Sequence, residues 1–477
     1  MRRSFGLQGA LGLLLLVAAC GGGTAGGADG PVDAGAQADA PPGPPSVEGF
    51  RAALEGAGYE VGDGRLEFAQ IDCCAAVTCF GNNPSSPYGQ YLLPRGPGQP
   101  VANPYEDAEG LSKVWRLRPD EAVVFVGPTP PRAAYFGWTG YQFDRSAGAG
   151  QARDIRFASL GDTVNVDTIA TAGTPAGAAG DPFEQLTVIM LVADSQTEAE
   201  VHAAAAAGGF PPAWVNTLVI PAADVSLGLE DEADTFGVLV RAALFEDPTA
   251  KEAYLAAPPG NLWRISPAMA RAVAPLREPA LRPRGTGAAE DAALATALDE
   301  LHDAILAAHP GLNVYQPPVT DVTPTPGECL TGTRNCNGDN NDTVYFTSGL
   351  FRLGETADDF VVVYGVNHQA TGKATYSNFA LYEVRRLFGV AAASSRDFAG
   401  SAAEYLPGHP LADRLYAWRL RRDCTGDPGC LPIALECPGL PADELGVVAF
   451  RAYLEPGTGT GPAPSELILD RVIRFKP

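Results

Sequence analysis

The chain has few basic residues for its length. Its 477 residues include 33 Lys and Arg against 56 Asp and Glu, which gives a formal net charge of -23. Proteins that bind nucleic acid or an anionic lipid surface need a basic patch that displaces counterions. The sequence contains no basic stripe, so we expect no nucleic-acid partner and no electrostatic docking on a membrane.

Histidine is also scarce, and the motifs of the common enzyme classes are missing. The chain has 5 histidines. It contains no nucleophile elbow, H-E-x-x-H helix, phosphate loop or Gly-rich dinucleotide turn in a usable context. We therefore expect no cofactor. The sequence leaves open whether the protein is an enzyme.

A long apolar run is missing as well. The run Ala10–Ala19 has ten residues, about half of the ~20 that a membrane-spanning helix needs. Arg2 and Arg3 precede the run and Cys20 follows it, which is the charged, apolar and small-residue order of a signal peptide. We predict a signal peptide over residues 1–19 and no transmembrane helix.

The junction Val17-Ala18-Ala19-Cys20 resembles the lipobox of bacterial lipoproteins. The resemblance implies that the Cys20 sulfur receives a diacylglycerol, that the chain is cut before Cys20, and that the new amine is acylated. Three acyl chains would hold the protein on a membrane, whereas one gives only reversible binding. The alternative is an ordinary secretory peptide with an incidental cysteine. We expect an exported protein of the bacterial cell envelope, anchored by lipid alone, at the periplasmic or surface face of the outer membrane.

Residues 20–46 are predicted to form the lipidated end and a flexible tether. Between Gly21 and Pro45 there is no aromatic residue and no apolar residue larger than valine. Such a stretch buries too little surface to offset the entropy lost on ordering. The whole sequence has 46% hydrophobic residues, 55 Gly and 42 Pro, which favours a well-buried, β-rich α+β fold for the chain beyond the tether.

Eight cysteines remain when Cys20 is set aside. An even number behind an export signal indicates up to four disulfides. The clustering favours the local pairs Cys329 with Cys336 and Cys424 with Cys430, although eight cysteines allow 105 pairings. Zinc is the rival interpretation, but the sequence has no C-x₂-C pair and no neighbouring His pair. We expect no metal.

Two distant stretches indicate an internal duplication. Cys79–Tyr88 and Cys336–Tyr345 align without a gap, with Cys, Gly, Asn and Tyr at matching positions. Two further pairs of blocks follow in the same order, Asp120–Gly127 with Asp358–Gly365 and Asp234–Asp247 with Asp443–Pro456. Three paired blocks in one order predict two related α+β halves, residues 47–287 and 288–477, packed together.

The secondary structure is read from short apolar runs and one amphipathic stretch. VVFV (123–126), VVVY (361–364), TVIMLVAD (187–194) and NTLVIP (216–221) are typical of strands, and TEAEVHAAAAA (197–207) of a helix. A second helix is predicted over Ala288–Ala308, and we expect it to pack between the halves. Its apolar face consists of Leu294, Leu298, Leu301 and Ile305.

The segment GDNNDTVYFTSGLF (338–351) resembles the N-x-D-T-x-Y signature of a pair of uncharacterised bacterial domain families. These families occur fused, are β-rich and are often exported, and they have no settled activity. The resemblance covers about sixty residues and supports a two-part β-rich fold. The first half departs from it, because Ser85 replaces the aspartate. In the segment 338–351, the polar positions Asn340, Asp342 and Tyr345 are candidate ligand-binding or catalytic residues.

The other candidate site is the loop that follows the predicted strand at 361–364. It contains Asn367, His368, Lys373 and Tyr376. A loop that leaves a buried strand is held in place while its side chains stay accessible. Histidine could serve as acid or base, lysine could bind a carboxylate or phosphate, and tyrosine could stack on a ligand. The alternative is a well-formed turn with Tyr376 packed beneath it.

The loop around His368 has a counterpart in the first half. In the corresponding first-half loop, Arg132 stands at the lysine position and histidine is absent, so we expect any ligand site to lie nearer His368.

The segment 335–343 partly matches a calcium-binding loop. Asn337, Asp339 and Asn341 occupy alternating positions, as the oxygen ligands of a calcium loop do. However, the places of its Gly and Glu hold Asp342 and Ser348, which favours a turn.

Two classes of function fit the sequence. The first is a lipid-anchored module that binds a small organic or carbohydrate ligand or serves as a surface module of the envelope. The second is an exported hydrolase whose active site has no recognisable motif. Turnover of glycan or ester substrates would separate the two. The sequence does not determine the oligomeric state.

Overall fold

The computed structural model describes residues 43–68, 72–148, 151–325, 327–332 and 334–477. The predicted signal peptide, Cys20 and the tether up to residue 42 lie outside the described residues. Pro44–Pro477 form one compact unit. Within the described part of the chain, no helix is both long and apolar enough to cross a membrane.

The first half carries its helices on a large, bent sheet. The helices are α1 (Val47–Gly56), α2 (Ser195–Ala207) and α3 (Pro248–Ala256). Capping side chains fix the beginning of α1 and α2, because Ser46 and Asp194 accept hydrogen bonds from backbone N–H groups of the first turn. The strands are β1 (Tyr59–Glu67), β2 (Tyr88–Pro94), β3 (Leu111–Ser112), β4 (Ala122–Pro128), β5 (Ala133–Arg145), β6 (Asp154–Ser159), β7 (Val164–Asn165), β8 (Leu186–Val192), β9 (Val215–Val219), β10 (Thr235–Phe245) and β11 (Asn261–Pro267).

The second half has the same kinds of element. Its helices are α4 (Ala292–Ala308) and α5 (Ser395–Phe398). Its strands are β12 (Asn313–Tyr315), β13 (Val319–Asp321), β14 (Thr343–Ser348), β15 (Phe360–Val366), β16 (Tyr376–Glu383), β17 (Phe388–Ser394), β18 (Leu415–Arg421), β19 (Cys430–Pro432), β20 (Gly446–Tyr453) and β21 (Arg471–Lys476). The fold is therefore mixed α+β and strongly β-rich, as predicted. The predicted strands correspond to β4, β8, β9 and β15, and the predicted helix at 197–207 lies within α2.

The sheets of the two halves are separate. In the first half the order is β6-β5-β10-β2-β1-β11-β4-β8-β9, and β1 belongs to both layers because residues 59–64 pair with β11 and residues 65–67 with β2. Gly64 permits this bend, since a Cβ there would lie 2.4 Å from the Leu92 carbonyl oxygen. The second half has two sheets, β12-β21-β15-β18-β19 and β13-β14-β20-β16-β17. Pro317 and Pro318 stand between β12 and β13 and interrupt the strand, because proline lacks an amide donor.

Each half has a helical layer over two sheet layers. In β4, Val123 and Phe125 face the core between the sheet layers, while Val124 and Val126 face α1 and α2. In β15, the residues of one face likewise lie between the sheets and those of the other face lie under a helix. Both strands are buried on both faces, which explains why their sequences are continuous apolar runs.

The helix predicted between the halves lies elsewhere. α4 buries the predicted apolar face, but this face packs on the outer side of β15, β18 and β21. The prediction of an inter-half helix is therefore wrong. The physical reason is that β15 is apolar on both faces, so Phe360, Val362 and Tyr364 require a cover on the side away from the sheet–sheet core.

Four disulfides link the described cysteines. Cys329 is bonded to Cys336 and Cys424 to Cys430, the two local pairs that the clustering favours. The other two are Cys73–Cys79 and Cys74–Cys437. Cys74–Cys437 joins the first half to the second, across a sequence separation of 363.

Candidate functional site

The two halves meet through the outward faces of β5, β10, β16 and β20. Tyr135 on β5 packs against Tyr376 and Tyr453, with ring centroids 6.1 and 4.9 Å apart. Tyr376 and Tyr453 stack at 4.6 Å with an interplanar angle of 7°. These outward faces are buried although they lie outside the sheet–sheet cores, because each half covers the other.

A cavity of about 470 Å³ lies at this junction and is lined by residues of both halves. Most of its wall is aromatic or aliphatic. Among the described lining residues there is no Asp, Glu or His, and the charged members are Lys113, Arg241 and Arg451. The aromatic members are Phe80, Tyr88, Tyr105, Tyr141, Phe143, Phe157, Tyr345 and Tyr453.

Arg241 on β10 and Arg451 on β20 occupy corresponding positions in the wall. They are 3% and 8% exposed. The Arg241 guanidinium lies 5.6 and 5.5 Å from the ring centroids of Tyr88 and Tyr141. The Arg451 guanidinium has the same relation to Tyr345 and Tyr382, at 5.6 and 5.5 Å. Aromatic rings at these distances stabilise a cation.

Each arginine also reaches into the opposite half. Arg241 Nη2 donates to the Gly338 carbonyl at 3.0 Å, and Arg451 Nη2 donates to the Gly81 carbonyl at 2.9 Å. Both glycines have positive φ, 79° and 68°, so each loop turns its carbonyl inward in a conformation that favours glycine. The paired loops Cys79–Tyr88 and Cys336–Tyr345 are thus each held by an arginine of the other half.

Tyr345 and Tyr382, which flank Arg451, are neutral at physiological pH. Burial raises the pKa of Tyr382 to about 12 and the pKa of Tyr345 well above its ordinary value. The hydroxyl of Tyr382 donates to the Asn82 carbonyl at 2.8 Å, and that of Tyr141 to the Asp339 carbonyl at 2.7 Å. The charge of the wall therefore comes from its basic residues.

No carboxylate of the described residues forms an ion pair with Arg241 or Arg451. The positive charge of Arg241 acts to lower the pKa of Asp339. However, the Asp339 oxygens accept hydrogen bonds from the Ser159 amide and hydroxyl at 2.8 and 2.6 Å. Burial raises the pKa of Asp339. Lys113, the third basic residue, lies 5.1 Å from the Tyr105 ring centroid, and burial lowers its pKa.

One edge of the cavity is formed by the short loop that Cys73–Cys79 closes. Ala76, Val77 and Thr78 from this loop contribute to the wall, and Val77 is 92% exposed. The loop is therefore at the cavity mouth. Cys74–Cys437 ties the same loop to the second half, so the mouth is covalently fixed to both sides.

The predicted His368 site is a closed ion-pair cluster. His368 is 3% exposed, and its Nδ1 lies 2.9 Å from Glu290 Oε1 while Nε2 lies 3.8 Å from Asp470 Oδ2. Burial alone would lower the pKa of His368, but the two carboxylates raise it to about 10. The imidazole is therefore charged at neutral pH, and an unperturbed titration near pH 6.5 is not expected.

The neighbouring candidates also have internal partners. Lys373 Nζ lies 2.6 Å from Glu455 Oε1 and 2.5 Å from Glu466 Oε2. Asn367 Nδ2 donates to the Ser395 carbonyl at 3.3 Å, and Tyr376 is fully buried. None of these four residues lines the central cavity. A ligand role for this loop stays a prediction.

The N-x-D-T-x-Y candidates divide between the cavity and a buried network. Tyr345 lines the cavity. Asp342 accepts from the Tyr135 hydroxyl at 2.8 Å and from Asn165 Nδ2 at 2.9 Å, and Asn340 Nδ2 donates to the same Tyr135 hydroxyl at 3.0 Å. Burial raises the pKa of Asp342 to about 7. This network joins the halves beneath the cavity wall.

Asn337, Asp339 and Asn341, the residues with calcium-loop spacing, lie in a turn and have partners within the protein. Asn337 has a φ of 49°, Asp339 binds Ser159, and Asn341 Nδ2 donates to Asp162 Oδ1 at 2.7 Å. The main residues that the sequence analysis missed are Arg241 and Arg451. The sequence did contain a signal for them. Each is a single arginine in a mostly apolar strand, and the two stand at matching positions of the paired blocks Asp234–Asp247 and Asp443–Pro456.

Comparisons with known proteins do not identify a family. No protein-family model and no curated protein matches the chain. The solved structures with a similar arrangement include an uncharacterized protein from Burkholderia cenocepacia, 14% identical, with a TM-score of 0.40, covering 89% of this chain and 85% of that one. The VPA0106 protein from Vibrio parahaemolyticus is 10% identical, with a TM-score of 0.37, covering 83% and 90% respectively.

Proposed function

We propose that this chain is an exported, lipid-anchored protein that binds a small, largely apolar organic ligand in the central cavity. The observation that carries the proposal is the cavity itself, with a volume of about 470 Å³ and a wall of mostly aromatic and aliphatic residues from both halves. Ligand sites of known proteins have this range of volume and this kind of lining.

The composition of the wall favours binding over hydrolysis. Its described residues include no Asp, Glu or His, and its one cysteine, Cys79, is in a disulfide. The described wall therefore lacks a carboxylate or histidine general base and a free cysteine nucleophile. The aromatic and aliphatic residues that make up most of the wall favour a ligand with a large apolar body.

We further propose that the halves arose by duplication. The order β1-β11-β4-β8-β9 parallels β12-β21-β15-β18-β19, and β6-β5-β10-β2-β1 parallels β17-β16-β20-β14-β13. The strand register supports the same pairing, since Arg241 lies opposite Tyr88 and Arg451 opposite Tyr345. A duplication accounts for a cavity that receives one arginine and one set of tyrosines from each half.

The membrane anchor belongs to the same proposal. Cys20 would carry the acyl chains, and the tether would hold the folded part clear of the lipid headgroups at the outer membrane. The cavity would then serve a ligand captured in the envelope or at its surface.

A panel of matched probes tests ligand binding. The full chain is held in phosphatidylcholine nanodiscs, because detergent would compete for an apolar cavity. Calorimetry then measures binding of alcohols and carboxylic acids with three apolar bodies: 4-phenylbutyl, 2-naphthylmethyl and octyl. Empty nanodiscs provide the reference heat. We expect at least one probe to bind with a stoichiometry of one.

A cavity-filling variant locates the bound probe. Leu239 lines the cavity, so Leu239→Trp should weaken binding by roughly tenfold or more by occupying ligand space. Leu350→Trp is the matched control, since Leu350 is 48% exposed and lies outside the wall. The proposal is wrong if no probe binds, or if both variants bind as the wild type does.

A further inference from the structure

The described part of the chain contains five buried arginines, which differ in how their charge is balanced. Three of them meet carboxylates: Arg116 Nη2 lies 2.6 Å from Asp231, Arg264 Nη2 lies 2.5 Å from Glu121, and Arg419 pairs with Glu404 and Asp427. The other two, Arg241 and Arg451, have no such partner among the described residues.

The two unbalanced arginines are the ones that line the central cavity. Their hydrogen-bond acceptors are uncharged. Arg241 donates to the Thr139 hydroxyl and the Gly338 carbonyl, and Arg451 donates to the Tyr382 hydroxyl and the Gly81 carbonyl. A buried guanidinium without an anion is unfavourable, so two of them in one wall form a site that an anion would stabilise.

Both guanidiniums act on the same part of the cavity. Burial raises the pKa of the Tyr345 phenol, and Arg241 and Arg451 both act in the opposite direction on it. Both also act on Tyr453. The contacts agree, because the Arg451 guanidinium lies 5.6 Å from the Tyr345 ring centroid and Arg241 donates to the carbonyl of Gly338 in the loop that leads to Tyr345.

We propose that the ligand of the central cavity is an organic anion, an apolar carboxylic acid whose carboxylate binds between Arg241 and Arg451. The guanidinium geometry matches a carboxylate and forms charge-assisted hydrogen bonds with it. Phe80, Phe143, Phe157 and Leu239 would surround the apolar body of the acid. This inference rests on the proposed function and names its ligand class.

The acid and alcohol probes with the same body measure the contribution of the charge. In the wild-type chain, we expect the acid to bind roughly tenfold or more tightly than the alcohol, as a charged hydrogen-bonded pair implies. This comparison requires no variant and is unaffected by any change in folding.

Charge-removing variants assign the effect to the two arginines. Arg241→Gln and Arg451→Gln should each weaken acid binding by roughly tenfold and leave alcohol binding within about twofold. Arg132→Gln is the control, because Arg132 is 50% exposed and pairs with Asp181 at the surface. Arg451→Lys keeps the positive charge, and it replaces Arg451→Gln if that variant does not fold. Because lysine lacks the planar two-point geometry, Arg451→Lys should also weaken acid binding by roughly tenfold.

The outcomes separate this inference from the proposed function. If the alcohols bind as tightly as the acids, the anion site is wrong while the ligand-binding cavity stands. If the acids bind more tightly but the arginine variants match Arg132→Gln, the anion lies elsewhere and the assignment to these arginines is wrong. If no probe binds, both proposals are wrong.

Discussion

His368 is held as a buried cation between Glu290 and Asp470, and its pKa is raised to about 10. The pKa of histidine in an unfolded chain is about 6.5. The stabilisation from His368 is therefore complete below about pH 6.5 and is lost as the pH rises through about 10. We expect the His368 ring to show no NMR titration between about pH 5.5 and 7.5, and the free energy of unfolding to decrease from neutral pH toward pH 10.

Asp470→Asn is the matched variant for this prediction. It removes one carboxylate and keeps the shape of the side chain, so the pKa of His368 should decrease. A His368 ring that titrates near pH 6.5 in the wild-type chain would contradict the ion pairs, and would restore the loop as an ordinary pH-sensitive site.

The loop around His368 shows what residue chemistry alone predicts. The sequence marks Asn367, His368, Lys373 and Tyr376 as a dense polar loop, and the structure places Tyr376 at the beginning of β16. Whether such a loop binds a ligand depends on its partners, and here the carboxylates of Glu455 and Glu466 come from segments 82 and 93 residues away from Lys373. Partners so distant in sequence cannot be read from local pattern. For the same reason, the unbalanced charge of Arg241 and Arg451 is visible only when the halves are assembled.

At the scale of elements, apolar pattern predicts which residues are buried but not what buries them. β4 and β15 are recognised from their sequences because both faces of each strand are covered. The apolar face of α4 is also recognised, and its residues Leu294, Leu298, Leu301 and Ile305 are at most 1% exposed. Its partner was predicted wrongly, because an amphipathic helix carries the same pattern whether it covers a sheet or separates two halves.

Leu298 tests the packing of α4. It is fully buried against the outer face of the sheet that contains β15. Leu298→Ala should lower the free energy of unfolding by about 2–5 kcal/mol, because it leaves a cavity in this core. Urea unfolding measures the effect. Leu435→Ala is the control, with Leu435 43% exposed, and similar small losses for both variants would contradict the packing of α4.

The disulfide between Cys74 and Cys437 is the element that fixes the cavity mouth to the second half. Because it closes a loop with a sequence separation of 363, Cys74→Ser with Cys437→Ser should lower the free energy of unfolding by about 2–4 kcal/mol. Cys424→Ser with Cys430→Ser is the matched control, since that bond spans a separation of 6 and a short loop contributes less in the chain-entropy model.

Mass spectrometry of non-reduced peptides checks the pairing itself. It should recover Cys74 linked to Cys437 and Cys329 linked to Cys336 from the exported protein. Free thiols at these four positions would contradict an oxidised, exported protein, and a different pairing of Cys74 would contradict the fixed mouth.

At the scale of the whole molecule, the site depends on the two halves together. Each half contributes an arginine, its flanking tyrosines and the loop whose carbonyl binds the arginine of the other half. Neither half alone would close the cavity, so a single half is expected to lack the site even where its own cores are intact. The paired blocks in the sequence point to this arrangement, while the cavity between the halves requires tertiary structure.

The proposed anchor would determine where this molecule acts, and it is tested at Cys20. Cells that express the chain are grown with an alkyne-tagged fatty acid, and incorporation into the purified protein is measured. We expect labelling of the wild type and none of Cys20→Ser, because the lipobox-like junction offers one sulfur for acylation. The Cys424→Ser, Cys430→Ser variant should remain labelled, since it keeps Cys20. Equal labelling of the Cys20→Ser variant would place the lipid elsewhere, and no labelling of the wild type would make the N-terminal segment an ordinary secretory peptide.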